Sequence, residues 1–180
     1  VKLKDSEKVD KMYDFKGPVE EIVVTQESRQ EGFDNYETTD DHGMVIVGTA
    51  VGMNPKNLRD EWDAYDVTSE TGIKIEVKSA AYIQSWAQKQ YSKISFSIRT
   101  AQFWDADNGM SRGEPKRHAD VYVFCLLHNK DQETIDPMKM EQWEFYVLPT
   151  YKLDNYERSQ FSITINSLRK LTEPIEYVLL

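Results

Sequence analysis

Residues Trp62–Trp86 read WDAYDVTSETGIKIEVKSAAYIQSW, and the folding of this stretch organises the rest of the chain. Trp62 to Thr68 is rich in aromatic and β-branched residues. From Ile73 the chain alternates: Ile73, Ile75 and Val77 are apolar, while Lys74, Glu76 and Lys78 are charged. A period of two is that of a strand. Between the two runs, Ser69-Glu70-Thr71-Gly72 is a turn sequence with glycine last. The stretch is predicted to be a hairpin.

Register decides which side chains share a face. A three-residue loop of Glu70, Thr71 and Gly72, with glycine left-handed, sets Ser69 opposite Ile73 and Asp66 opposite Glu76. Directly opposed residues point to the same face, and Lys78, two residues on, joins them. A two-residue loop would send Asp66 and Glu76 to opposite faces. The glycine position favours the first arrangement.

Two carboxylates and an ammonium on one face suit phosphate chemistry. Close carboxylates repel and raise one another's pKa, a conflict that a divalent cation removes. A hard cation such as Mg²⁺ takes carboxylates, waters and phosphate oxygens, and it acidifies a bound water. The alternative is a surface hairpin with an ion pair and no chemistry. Apolar residues on the opposite face fit both.

Asp66 followed, after nine residues, by Glu76-Val77-Lys78 resembles the PD-(D/E)xK nuclease superfamily, with its restriction-endonuclease-like fold. The resemblance implies that Asp66 and Glu76 bind metal, that Val77 lends a backbone carbonyl to it, and that Lys78 assists catalysis. The longer run EVKSAAYIQSW, with ADVYVF and WEFYVLPT, is similar to a family of uncharacterised bacterial proteins, over roughly residues 42–172. Tyr65 stands where the superfamily's name has proline. Met44 stands where the resemblance places a first-helix acid; Asp40, Asp41, Glu20 and Glu21 are other acids within the N-terminal part. Ser79 and Gln84, just past the site, either cap a strand end or touch phosphate and base edges.

Length bounds the chain to one domain with a sizeable core. No apolar run is long enough for a membrane span, and no charged-then-apolar leader is present, so a cytoplasmic location is expected. The single cysteine, Cys125, sits in the apolar run VYVFCLL and is expected to be a reduced core residue, and the three histidines show no zinc-like spacing. A net charge of −9 opposes a simple DNA-binding label, but its distribution is uneven. Residues 1–73 hold 8 basic and 17 acidic side chains, residues 74–118 hold 8 and 4, and residues 119–180 hold 6 and 10. The one positive segment follows the acid–lysine triplet, and a phosphate polymer could lie along it. Its Lys93, Arg99, Arg112, Lys116 and Arg117 are the candidate contacts; ordinary charge scatter is the alternative.

Along the chain, residues 1–41 read as an acidic, partly mobile arm, with a short helix over 6–15, and residues 42–180 as the nuclease-like domain. Residues 44–53 fit a buried strand or a helix capped by Gly52; the resemblance selects helix. Strands are expected at about 62–68, 73–81, 93–100, 120–128 and 141–148. Phe103 to Ala119, with its turn residues, reads as a long basic loop. Ser162 to Ile165 reads as an edge strand, Ser167 to Leu171 as a short helix, and the apolar end of the tail as packed down or meeting a partner.

The expected fold is α/β, a restriction-endonuclease-like mixed sheet flanked by helices. The expected function is a Mg²⁺-dependent nuclease, with Mn²⁺ as an alternative ion, hydrolysing DNA in restriction, defence or repair, and a homodimer is among the expected states. Met44 motivates a second reading, a catalytically weakened nucleic-acid- or protein-binding module on a nuclease scaffold. A third is a purely structural partner in a defence complex, with the acidic N-terminal third as its contact surface.

Overall fold

The computed structural model describes residues 39–52, 64–83, 88–105 and 110–180, of which 39–41, 103–105 and 110–112 are described by backbone alone. The expected arm over 1–38, the turn at 54–61, the start of the first strand at 62–63 and Gln84 lie outside the described residues. The chain is mixed α/β. Helix α1 (Thr39–Ala50) precedes strands β1 (Val67–Thr68) and β2 (Lys74–Ala81). Next come β3 (Ser95–Ser97), β4 (Ala101–Asp105), β5 (Met110–Lys116), β6 (Val121–Leu127) and β7 (Trp143–Pro149). Short helices α2 (Thr150–Asp154) and α3 (Ile165–Leu168) flank β8 (Ser162–Thr164).

The main sheet has the order β1-β2-β6-β7, with β6 parallel to β2 and the other two pairs antiparallel. β6 is apolar throughout because it lies between two strands with both faces covered. One face packs on α1, burying Val45, Ile46 and Val47 against Ile75, Val77, Val123, Cys125 and Phe145. The other carries Tyr122, Phe124, Leu126, Tyr146 and Leu148, covered by Phe96, Ile98, Ile163, Ile165 and Leu168. The cover is the β3–β8 ribbon with α3. Cys125 is buried in the core, as its apolar surroundings predict.

Residues 44–50 are helix, and Gly52 beyond them takes φ 77°, the left-handed conformation that ends helices. The helix passes close over β2: a Cβ on Gly43 would stand 1.8 Å from the Ser79 hydroxyl oxygen, a contact no side chain tolerates. The expected basic loop over 103–119 is instead a β-hairpin, β4 paired antiparallel with β5 in a two-stranded sheet of its own. Ladder hydrogen bonds form there even though MSRGEPK has none of the apolar alternation that marks a half-buried strand. The tail packs down at Ile175, which exchanges two backbone hydrogen bonds with Phe145, while Val178 and Leu179 are exposed. Among the described residues no helix is long and apolar enough to cross a membrane.

Candidate functional site

The hairpin of 62–86 forms in the register its glycine dictates. Gly72 has φ 84°, and its N–H donates to the Ser69 carbonyl at 2.9 Å. Ser69 N–H donates to the Ile73 carbonyl at 2.9 Å, and Val67 pairs with Ile75 and Thr68 with Lys74. The same count sets Asp66 against Glu76, one step beyond the last ladder pair. The Ser69 hydroxyl accepts from Ile73 N–H at 3.0 Å, which stiffens the turn.

Beyond Val67 the ladder gives way to side-chain bonding. Asp66 N–H donates to the Ile75 carbonyl at 3.0 Å, and the Asp66 carboxylate accepts from Val77 N–H at 2.8 Å. A continued ladder would have offered Val77 the carbonyl of residue 65; here a buried carboxylate, 8% exposed, takes that amide. The N–H and C=O of one strand residue point to the same side. The Val77 carbonyl is therefore directed to the sheet edge where Asp66 sits.

Alternation separates the remaining residues. Ile75 and Val77 are buried towards α1, so Glu76 and Lys78 lie on the opposite face, in register with Tyr122 and Phe124 of β6. There Lys78 Nζ stands 2.6 Å from Glu76 Oε1, with both side chains partly exposed. Burial pushes the Tyr122 phenol well above its ordinary range; the Glu76 charge adds to this, the Arg117 charge opposes it, and Asp154 and Asp66 contribute further. Both carboxylates are thus within electrostatic reach of one buried hydroxyl, which stays protonated and able to donate.

The other sequence candidates are distributed differently. The Ser79 hydroxyl is buried against Gly43, on the α1 side and away from Lys78; the alternation of the strand could have shown this. Arg117 is no loop contact. It is buried, donating from Nε to the Ile98 carbonyl at 2.9 Å, from Nη1 to Asp154 at 2.6 Å and from Nη2 to the Gln160 side chain at 2.9 Å. Lys93, Arg99 and Lys116 are exposed, and Arg112 lies on β5. Met44 is half-buried and packs against the α1-side core.

Two groupings carried no sequence signal. One is Tyr122, whose place beside Glu76 depends on a parallel pairing between strands 46 residues apart. The other is the cluster of Glu144, Tyr146 and Arg169, where Arg169 donates to the Tyr146 hydroxyl at 2.8 Å and to Glu144 at 2.7 Å, and Tyr146 donates to Glu144. Burial pushes Glu144 up, but the hydrogen bonds from Tyr146 and Arg169 outweigh it and hold the carboxyl below its usual range. Burial, with the bond to Glu144, pushes the Tyr146 phenol up to about 12.

Among the described residues no three His, Cys, Asp or Glu side chains gather as a metal cage. The edge offers two carboxylates and a backbone carbonyl, all oxygen. That donor set fits a hard cation whose remaining positions go to water and substrate.

These features define a mixed α/β protein in which Asp66, Glu76 and Lys78 lie on one face of the β1–β2 hairpin. The chain belongs to the bacteriophage T4 endonuclease IV family, whose sequence model matches residues 44–166. That span contains every residue of the edge and makes this a nuclease-family protein. No curated protein matches the chain.

Proposed function

We propose that the chain is a divalent-metal-dependent nuclease of the PD-(D/E)xK type that hydrolyses phosphodiester bonds of DNA. The observation that carries this reading is the hairpin register, which sets Asp66 against Glu76 while Glu76 holds the Lys78 ammonium at 2.6 Å. Family membership supports a nuclease and DNA as its substrate. Asp66, Glu76 and the Val77 carbonyl would hold Mg²⁺ or Mn²⁺. When bound, the ion supplies charge neutralisation at the phosphate and a more acidic water.

The chain's own groups do the positioning. The Val77 amide fixes the Asp66 carboxylate, so its orientation costs nothing at the moment of reaction. Glu76 holds Lys78 where its ammonium can donate to the attacking water or to a non-bridging phosphate oxygen. The Tyr122 hydroxyl, kept neutral, is a further donor on this face. Water oxygen bonds to phosphorus as the bond to the departing sugar oxygen breaks, and that oxygen takes up a proton. Catalysis of this kind rests on placement and charge.

The test is cleavage of plasmid and oligonucleotide DNA with Mg²⁺ by wild type and by Lys78→Ala, with circular dichroism confirming the fold. Loss of cleavage is expected; full activity in Lys78→Ala would remove the assignment. One observation favours a second reading, a non-cleaving DNA- or protein-binding module: Met44 places an apolar, half-buried side chain where the resemblance puts an acid. Titration calorimetry separates the two, since a module that binds DNA but neither Mg²⁺ nor Mn²⁺ would be the second. A homodimer, which would give each strand its own cut, is tested by light scattering with and without duplex DNA.

A further inference from the structure

Phe161 is an anomaly in the pattern of burial. The β3–β8 register pairs Phe96 with Ile163 and Ser97 with Ser162, and Ile98 N–H donates to the Phe161 carbonyl at 3.0 Å. Phe161 stands one residue before β8, where the ribbon's alternation stops. Ile163 and Ile98 are fully buried against the sheet, whereas Phe161 is 67% exposed.

Its backbone is nonetheless pinned. Phe161 N–H and Ser162 N–H both donate to the Ser159 hydroxyl, at 3.1 and 3.2 Å. Gln160 is held by Arg117 and donates to the Tyr156 carbonyl at 2.7 Å. The Arg99 guanidinium lies 5.7 Å from the centre of the Phe161 ring. Arg117 ties down the residues next to both Arg99 and Phe161.

We infer that Phe161 and Arg99 form a stacking subsite for one unpaired base of the bound nucleic acid. This rests on the nuclease reading of the Asp66–Glu76–Lys78 edge for its substrate. An exposed ring on a fixed backbone loses little freedom when a base stacks on it. Every base offers a π-face, so such a platform binds without reading sequence. The guanidinium keeps its charge while lying on the ring, and it is available to a flanking phosphate.

The test is fluorescence anisotropy of labelled single-stranded oligonucleotides with the full chain in EDTA, so that binding is read without cleavage. Phe161→Ala is expected to weaken binding on the order of tenfold or more, and Phe161→Trp to retain it. Arg99→Ala lowers the salt dependence by about one phosphate contact. An abasic residue stepped along the oligonucleotide costs the wild type affinity at one position and costs Phe161→Ala nothing there. Equal binding by wild type and Phe161→Ala, a flat abasic scan, or no binding by wild type overturns the subsite. If Lys78→Ala is dead and Phe161→Ala binds and cleaves as wild type, the nuclease reading stands and the subsite falls. If binding depends on Phe161 but wild type cleaves nothing, the reverse holds.

Discussion

Two ion pairs serve the same face of the sheet at the same separation, 2.6 Å, and they differ in everything else. In Arg117–Asp154 the arginine side chain is 1% exposed and its guanidinium is spent on a carboxylate, a glutamine side chain and backbone carbonyls. In Glu76–Lys78 the lysine and glutamate side chains are 30% and 18% exposed. The first pair fixes loops 98–100 and 159–161 in place. The second presents charge to whatever approaches the sheet edge. Distance alone does not tell the two pairs apart; the access of solvent does.

Substitutions sharpen that contrast. Lys78→Ala should lower the cleavage rate by about a hundredfold or more, the usual worth of a positioned proton donor or acceptor, while the urea midpoint moves little because the ammonium is partly solvated. A large drop in stability would instead make the pair structural. Arg117→Met should do the opposite, costing about 2 kcal/mol by urea unfolding, because the Ile98 and Gln160 groups lose a buried donor. Asp154 is half-exposed and can turn to water, which keeps the cost below that of a fully buried pair. Cleavage rates measured well below the unfolding midpoint should change less than for Lys78→Ala.

Smaller effects test the supports of the two regions. Gly43→Ala forces a Cβ onto the Ser79 hydroxyl and should cost about 1–3 kcal/mol as α1 is pushed off β2. Glu144→Gln should cost about 1 kcal/mol near neutral pH. Its sign with pH follows from the carboxyl being held below its usual range. The stability it provides is present above the unfolded-state pKa and is lost as pH falls through the folded one. Wild type and Glu144→Gln should therefore converge in acid, in thermal melts followed from pH 7 downwards. At the alkaline end the Tyr146 phenol works the other way. Its contribution is present below the unfolded tyrosine pKa and is lost as pH rises through about 12.

Several parts of the fold were legible because their causes are local. Gly72 accepts the left-handed conformation, which fixes a three-residue loop, which fixes the pairing of Val67 with Ile75. The continuous apolar run of β6 announced a strand covered on both faces. The β4–β5 hairpin was hidden for a physical reason. Its second strand, with Gly113, Glu114, Pro115 and Lys116 exposed, buries no apolar stripe there and writes no period into the sequence. Arg117 was read as a nucleic-acid contact on a basic loop; the acceptors that bury it lie 19 to 43 residues away. Phe161 drew no notice, since an exposed ring and a buried one are spelled alike.

What the sequence determined by itself is the hairpin, its register and the side of β2 on which each side chain falls, because turn chemistry and a two-residue period act between near neighbours. Tertiary structure alone decided that the Asp66 carboxylate would replace a ladder carbonyl at Val77, that Tyr122 would stand beside Glu76, and that one arginine would be locked while a lysine stayed open. Those outcomes depend on which distant strand lies alongside and where the core ends, and no run of adjacent residues encodes either.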